Sequence, residues 1–183
     1  SSPIMTTLNQ RLANAGTSFA VVGNDGKVKN EPKSITTSSV KAVQYDGVGY
    51  VFPNGGNVVA ELKKQEGSWY EINHAQPKGN VSKKVFTVAL DHGVKPSDAP
   101  SSYIVVPESG EASTLANYAD GRVAILNNTS ELQAVQQKKL GIWQMVFYSA
   151  GTYKDQNIPV EADKPCAVMV RLMADGSVKL HVA

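Results

Sequence analysis

The sequence holds a single cysteine, Cys166, which excludes an internal disulfide and any metal site built from several thiolates. It lies in the apolar run Cys166-Ala167-Val168-Met169-Val170, where a buried, inert thiol is the expectation. No stretch approaches the roughly 18 apolar residues of a membrane-spanning helix. Net charge is scarce as well, with 18 Lys and Arg against 16 Asp and Glu. Such balance leaves neither the basic stripe of a nucleic-acid binder nor a long-range pull on an acidic polymer. The lysine pairs Lys63-Lys64, Lys83-Lys84 and Lys138-Lys139 read as guards of strand edges, with contact to sulfate or carboxylate groups as the other reading. No leader peptide is read at the opening Ser1-Ser2-Pro3, so the expectation is a cytosolic protein or the mature or excised part of a longer chain.

Catalytic patterns are missing too. Gly47-Val48-Gly49 sits in a hairpin pattern and not between a strand and a helix, so no phosphate-binding loop is present. His74, His92 and His181 lack metal-ligand spacing. His181 alternates out of a strand, and His92 after Asp91 suits turn hydrogen bonding at a strand end. No nucleophile elbow or spaced carboxylate pair appears. We therefore expect no catalytic residue, no metal and no cofactor within this chain.

What the sequence does contain is period-two alternation. Phe86, Val88 and Leu90 form one stripe, Cys166, Val168, Val170 and Leu172 a second, and Val178, Leu180 and Val182 a third. Asp175-Gly176, Asp25-Gly26 and Asp46-Gly47 stand between strand-like runs as hairpin turns. Further strands are predicted over 19–22, 40–45, 50–52, 58–62, 103–106, 123–126 and 142–147. Helix is confined to two short candidates, 7–15 with Leu8, Leu12 and Ala15 on one face, and a turn at 114–118. The fold class is all-β, an antiparallel sandwich. The polar segment Pro107-Glu108-Ser109-Gly110-Glu111 divides the chain into 1–107 and a smaller β domain, 112–183.

The segment Gly67-Ser68-Trp69-Tyr70-Glu71-Ile72-Asn73-His74 gathers two aromatics, an amide and an imidazole. Aromatic faces stack on sugar rings and Asn satisfies paired hydroxyls, which makes Trp69, Tyr70, Asn73 and His74 candidates to face a carbohydrate. The alternative is a strand whose Trp69 is core and whose Asn73 pins a turn. Trp143, in Ile142-Trp143-Gln144-Met145-Val146-Phe147, is a second aromatic with either alternate face open to the core.

Five strings in order resemble the β-rich half of polysaccharide lyase family 8, the bacterial chondroitin, hyaluronate and xanthan lyases. They are Thr6-Thr7-Leu8-Asn9-Gln10; Gly47-Val48-Gly49-Tyr50-Val51-Phe52-Pro53; Gly67-Ser68-Trp69-Tyr70-Glu71-Ile72-Asn73; Asp91-His92-Gly93 with Pro96 and Tyr103 to Pro107; and Ile125-Leu126-Asn127-Asn128 with Leu132-Gln133-Ala134-Val135. Chondroitin AC-type lyases are the nearest in pattern. The resemblance implies that 1–107 is the latter part of a β super-sandwich and 112–183 the C-terminal β domain of a secreted or periplasmic bacterial enzyme. It implies β-elimination at a uronic acid, carried out by an Asn, a His, a Tyr and an Arg on a helical toroid. No stretch here supplies a toroid, so none of those four is carried over. The implied partners are that missing N-terminal toroid and an acidic polysaccharide such as a glycosaminoglycan. Two other readings stand beside it, a free-standing carbohydrate-binding module and a purely structural sandwich domain.

Overall fold

The computed structural model describes residues 2–14, 17–31 and 33–183. The chain forms two compact units, Ser1–Asn117 and Tyr118–Ala183, and both are antiparallel β structure. Among the described residues no helix is long and apolar enough to cross a membrane.

The first unit packs two sheets face to face. One has the order β1 (Met5–Leu12), β8 (Val81–Asp91), β7 (Asn57–Gly67), β4 (Ser34–Thr37). The other has the order β3 (Val28–Glu31), β2 (Phe19–Gly23), β5 (Val40–Tyr45), β6 (Val48–Val51), β9 (Ile104–Val106). Alternation builds the core between them: Val58, Ala60 and Leu62 from β7 and Phe86, Val88 and Leu90 from β8 meet Phe19, Val43, Tyr45 and Tyr50. Phe86 is fully buried and stacks on Tyr45 at 4.2 Å between ring centroids. The β5–β6 hairpin turns on Asp46 (φ 50°) and Gly47 (φ 76°), both left-handed as a two-residue turn requires.

The expected helix over 7–15 is instead the strand β1 through Leu12, with Ala15 outside the described residues. A β-bulge explains the misleading pattern. Thr7 pairs with Ala89 and Asn9 with Val88, so Leu8 is an extra residue and the inward face shifts from Thr6 and Leu8 to Asn9 and Arg11. The shift leaves Leu8 against the core and Leu12 in solvent, so the two leucines that would share a helical face lie on opposite faces of the strand.

Past Pro107 the chain stays with the first unit. Ser109 donates its backbone N–H to Gly47 (2.8 Å), and Gln44 donates to the Ser109 hydroxyl (2.7 Å). The 3-10 turn Ala112–Asn117, where the sequence placed one turn of helix, buries Leu115 over Gly49, whose missing side chain makes the room.

The second unit is a five-stranded sheet, in the order β10 (Val123–Asn128), β11 (Leu132–Gln137), β12 (Ile142–Phe147), β15 (Cys166–Leu172), β16 (Val178–Val182). A two-stranded hairpin, β13 (Gly151–Lys154) and β14 (Pro159–Ala162), supplies Tyr153, Ile158 and Ala162 to the same core. Trp143, Met145 and Phe147 point inward with Val168 and Val170, and Cys166 packs half-buried beside them. Asp155 ties hairpin to sheet. Its Oδ2 accepts from Trp143 Nε1 and from the Tyr153 hydroxyl, both at 2.9 Å, and its Oδ1 accepts from the backbone of Asn157 (2.7 Å) and Ile158 (2.9 Å). Burial opposes ionisation of Asp155, but these four donors outweigh it and hold the carboxyl below the ordinary Asp range. Burial, with the Asp155 carboxylate, pushes the Tyr153 hydroxyl up to about 12.

Candidate functional site

Strands β7 and β8 run on beyond the sandwich. Pairing with β4 ends at Glu61 and pairing with β1 at Val85, while β7 and β8 stay paired to Gly67 and Val81. The result is a two-stranded arm. Its tip carries α1, a single helical turn over Trp69–Ile72, followed by an exposed loop to Asn80.

Two of the three lysine pairs of the sequence, Lys63-Lys64 and Lys83-Lys84, lie on this arm, and Lys138-Lys139 lies in a 3-10 turn of the second unit. Lys64 stands directly opposite Lys84, and Gln65 opposite Lys83. Side chains alternate along each strand, so Lys64, Glu66, Ser82 and Lys84 share one face and Lys63, Gln65, Val81 and Lys83 the other. On the first face Lys64 pairs with Glu66 at 3.0 Å and the Ser82 hydroxyl donates to Glu66 at 3.3 Å. Among the described residues no ion pair engages Lys63 or Lys83.

The helical turn separates the four candidate residues. Trp69 is 61% exposed, which removes the core reading for its side chain. It lines an open groove of about 250 Å³ with Gln65, Gly67, Ile72, Val81 and Lys83. Tyr70 and His74 lie one turn apart and stack at 4.7 Å, with the Lys78 ammonium 5.1 Å from the centre of the Tyr70 ring. Asn73 is exposed, and its side-chain oxygen accepts from the backbone of Ala75 (3.0 Å). That bond is the turn-pinning role the sequence offered as its alternative. The structure thus brings Tyr70 and His74 together, sets Trp69 in a different group and gives Asn73 to the backbone. Gln65 and Lys83, which the sequence did not single out, join Trp69 through strand register alone.

Chemically, the arm tip presents exposed aromatic faces, an amide and ammonium groups. A general base needs an oriented partner and a site that excludes water. His74 is exposed and meets Tyr70 ring to ring. Elsewhere His92 hydrogen-bonds Thr6 Oγ1 at 2.7 Å, tying the end of β8 to β1, and His181 faces solvent. Trp143 is 2% exposed and offers no platform to a sugar. Among the described residues no three His, Cys, Asp or Glu side chains converge as metal ligands would.

Residues 1–119 match the super-sandwich domain of polysaccharide lyase family 8, and 124–183 match that family's C-terminal β-sandwich domain. The chain belongs to this family. It is 36% identical over 171 residues to the chondroitinase AC of Pedobacter heparinus, an alignment covering 92% of this chain and 24% of that protein. It is also 36% identical over 152 residues to a hyaluronate lyase of Thermasporomyces composti, covering 82% of this chain and 19% of that one. A chondroitinase AC lyase solved with bound oligosaccharides superposes with a TM-score of 0.86 at 32% identity, over 99% of this chain and 26% of that one. A Paenibacillus xanthan lyase shares the fold, with a TM-score of 0.80 at 23% identity over 94% of this chain and 17% of that one. The family 8 chain thus spans about a quarter or less of these relatives.

Proposed function

We propose that this chain is the non-catalytic C-terminal β portion of a secreted glycosaminoglycan lyase whose parent cleaves uronic-acid polysaccharides by β-elimination. The first unit supplies the latter part of the super-sandwich and the second the C-terminal β domain. Together they brace a helical toroid that carries the chemistry, and the arm tip forms one wall of the substrate cleft, with Trp69, Tyr70, Asn73 and His74 toward the polymer. The observation that carries this reading is coverage: two family domains account for nearly the whole chain, yet the chain spans 24% of the chondroitinase. Its exposed arm offers no closed cleft in which an acid and a base would be positioned.

The bracing role is also supported by β16. Val178, Leu180 and Val182 pair with Leu172, Val170 and Val168, so they extend the core face of the sheet, but they are 56%, 60% and 63% exposed. An apolar strip that continues a core face suits packing against more of the parent protein. The exposure of Trp69 favours a second reading, a carbohydrate-binding module. The two agree that the chain itself does no chemistry. Incubated with chondroitin sulfate or hyaluronan, the folded chain should give no ultraviolet absorbance from unsaturated uronate product. A rise proportional to protein overturns the proposal.

A further inference from the structure

The four candidate residues at the arm tip are not one site, and the groove beside Trp69 has a chemistry of its own. Gly67 and Val81 pair directly, and a side chain added at Gly67 would meet nothing within 4 Å. The missing side chain therefore leaves an open floor. Trp69 stands as one wall, and Ile72 (78% exposed) and Val81 (40%) complete an apolar lining. Gln65 and Lys83 lie side by side across the strands at the rim, one residue pair from the Gly67–Val81 floor. Lys63 is two residues further on the same face.

We infer that this groove is a subsite for a single pyranose unit bearing a carboxylate or sulfate. The ring's apolar face packs on the Trp69 indole, Gln65 both donates to and accepts from its hydroxyls, and the Lys83 ammonium takes the anionic group, with Lys63 adding charge. Charge complementarity selects an acidic sugar over a protein segment. Lys63 and Lys83 have no acidic partner among the described residues, whereas Glu66, which also borders the groove, is held toward the opposite face by Lys64 and Ser82. A volume of about 250 Å³ falls just under the ~300–1,000 Å³ of pockets that engulf whole ligands, which suits one ring of a longer chain. The inference rests on the reading that the parent acts on an acidic polysaccharide, and it specifies where on the arm one unit of that polymer sits.

The test is an amide-resolved NMR titration of the ¹⁵N-labelled chain with a hyaluronan tetrasaccharide and, in parallel, neutral cellotetraose. The expected result is salt-sensitive shifts at the Trp69 indole, the Gln65 side-chain amide, Gly67 and Val81 with the acidic sugar alone. Gly67→Val should fill the groove and abolish them. Trp69→Ala should weaken binding roughly tenfold, and Lys83→Gln should remove most of the salt dependence. These positions are exposed, and unchanged resonances across the sandwich core confirm that each variant is folded. Absence of shifts, binding that survives Gly67→Val, or equal response to cellotetraose overturns the inference. So do shifts that track protein concentration, which assign the patch to protein contact. The readout is binding, so failure here leaves the absence of lyase activity to stand or fall on its own assay.

Discussion

Replacing Asp155 by Asn removes one charge and no volume, and it should cost the second unit about 3 kcal/mol. The amide oxygen can keep the two backbone donors, Asn157 and Ile158. The amide nitrogen then faces Trp143 Nε1, placing donor against donor, while the Tyr153 hydroxyl can rotate to accept. Hydrogen bonds to a charged acceptor contribute about 1.5–3 kcal/mol, and a buried N–H without an acceptor costs about 1–3 kcal/mol. The two effects overlap within one network, so the loss is nearer one such contribution than their sum. Urea unfolding followed by Trp143 fluorescence in a Trp69→Phe background reads this unit directly. With a slope of about 1.5 kcal/mol per M, the midpoint should fall by about 2 M. Proton linkage supplies a second signature. The Asp155 carboxyl is held below the ordinary Asp range in the folded state, so its contribution is present above that range and fades as pH falls through the folded value. Wild type should therefore lose stability in acid that the Asn variant never had. A cost under about 0.5 kcal/mol, or an identical acid limb in both proteins, would refute the reasoning.

Three further outcomes follow from the same packing. Tyr153 ionises near 10 when unfolded and at about 12 when folded, so its stabilising effect holds below pH 10 and is lost as pH rises toward 12; Asp155→Asn should make that alkaline limb shallower in pH-dependent unfolding. Phe86→Ala should destabilise the first unit by about 3–5 kcal/mol, because the ring is fully buried against Tyr45 and Phe19, with loss of near-ultraviolet circular dichroism at lower urea. Gly49→Ala should cost about 1–3 kcal/mol, since its Cβ would come within 2.7 Å of the buried Leu115 side chain, and a double-mutant cycle with Leu115→Ala should show that the two costs do not add.

Several core strands were legible from the alternation of their large apolar side chains: Val58 to Leu62, Phe86, Val88 and Leu90, and Trp143 to Phe147. Strands β3, β4, β11, β13 and β14 were not read. Val28–Glu31 and Ser34–Thr37 have few buried side chains and are strands because β2 and β7 offer them hydrogen bonds. Strand β1 was misread because one bulged residue changes the period. At the arm, the residue types suited to sugar were visible between 67 and 74. Their division was not, since it depends on one helical turn and on a register that sets Gln65 opposite Lys83. Asp155 was also passed over. Its sequence signal is a side chain placed to cap the turn to Asn157 and Ile158, but its importance comes from Trp143, which only the folded sheet brings near.

Exposed apolar surface at the arm tip and along β16 calls for different partners, and the neighbouring side chains decide which. On β16 the apolar side chains Val178, Leu180 and Val182 succeed one another on one face, while Lys179 and His181 point to the other. A purely apolar strip of that kind gains most from a packed protein surface, where no polar group must be desolvated without a partner. At the arm tip the apolar wall is short, and an amide and two lysines without acidic partners share its face. Protein packing there would bury those lysines at a cost of several kcal/mol each unless carboxylates met them. A solvated acidic sugar brings its own anion and leaves the ammonium groups partly in water. Exposed carbon alone therefore does not choose the partner: its neighbours support the proposed seam with protein on β16 and the proposed acidic-sugar contact at the arm tip.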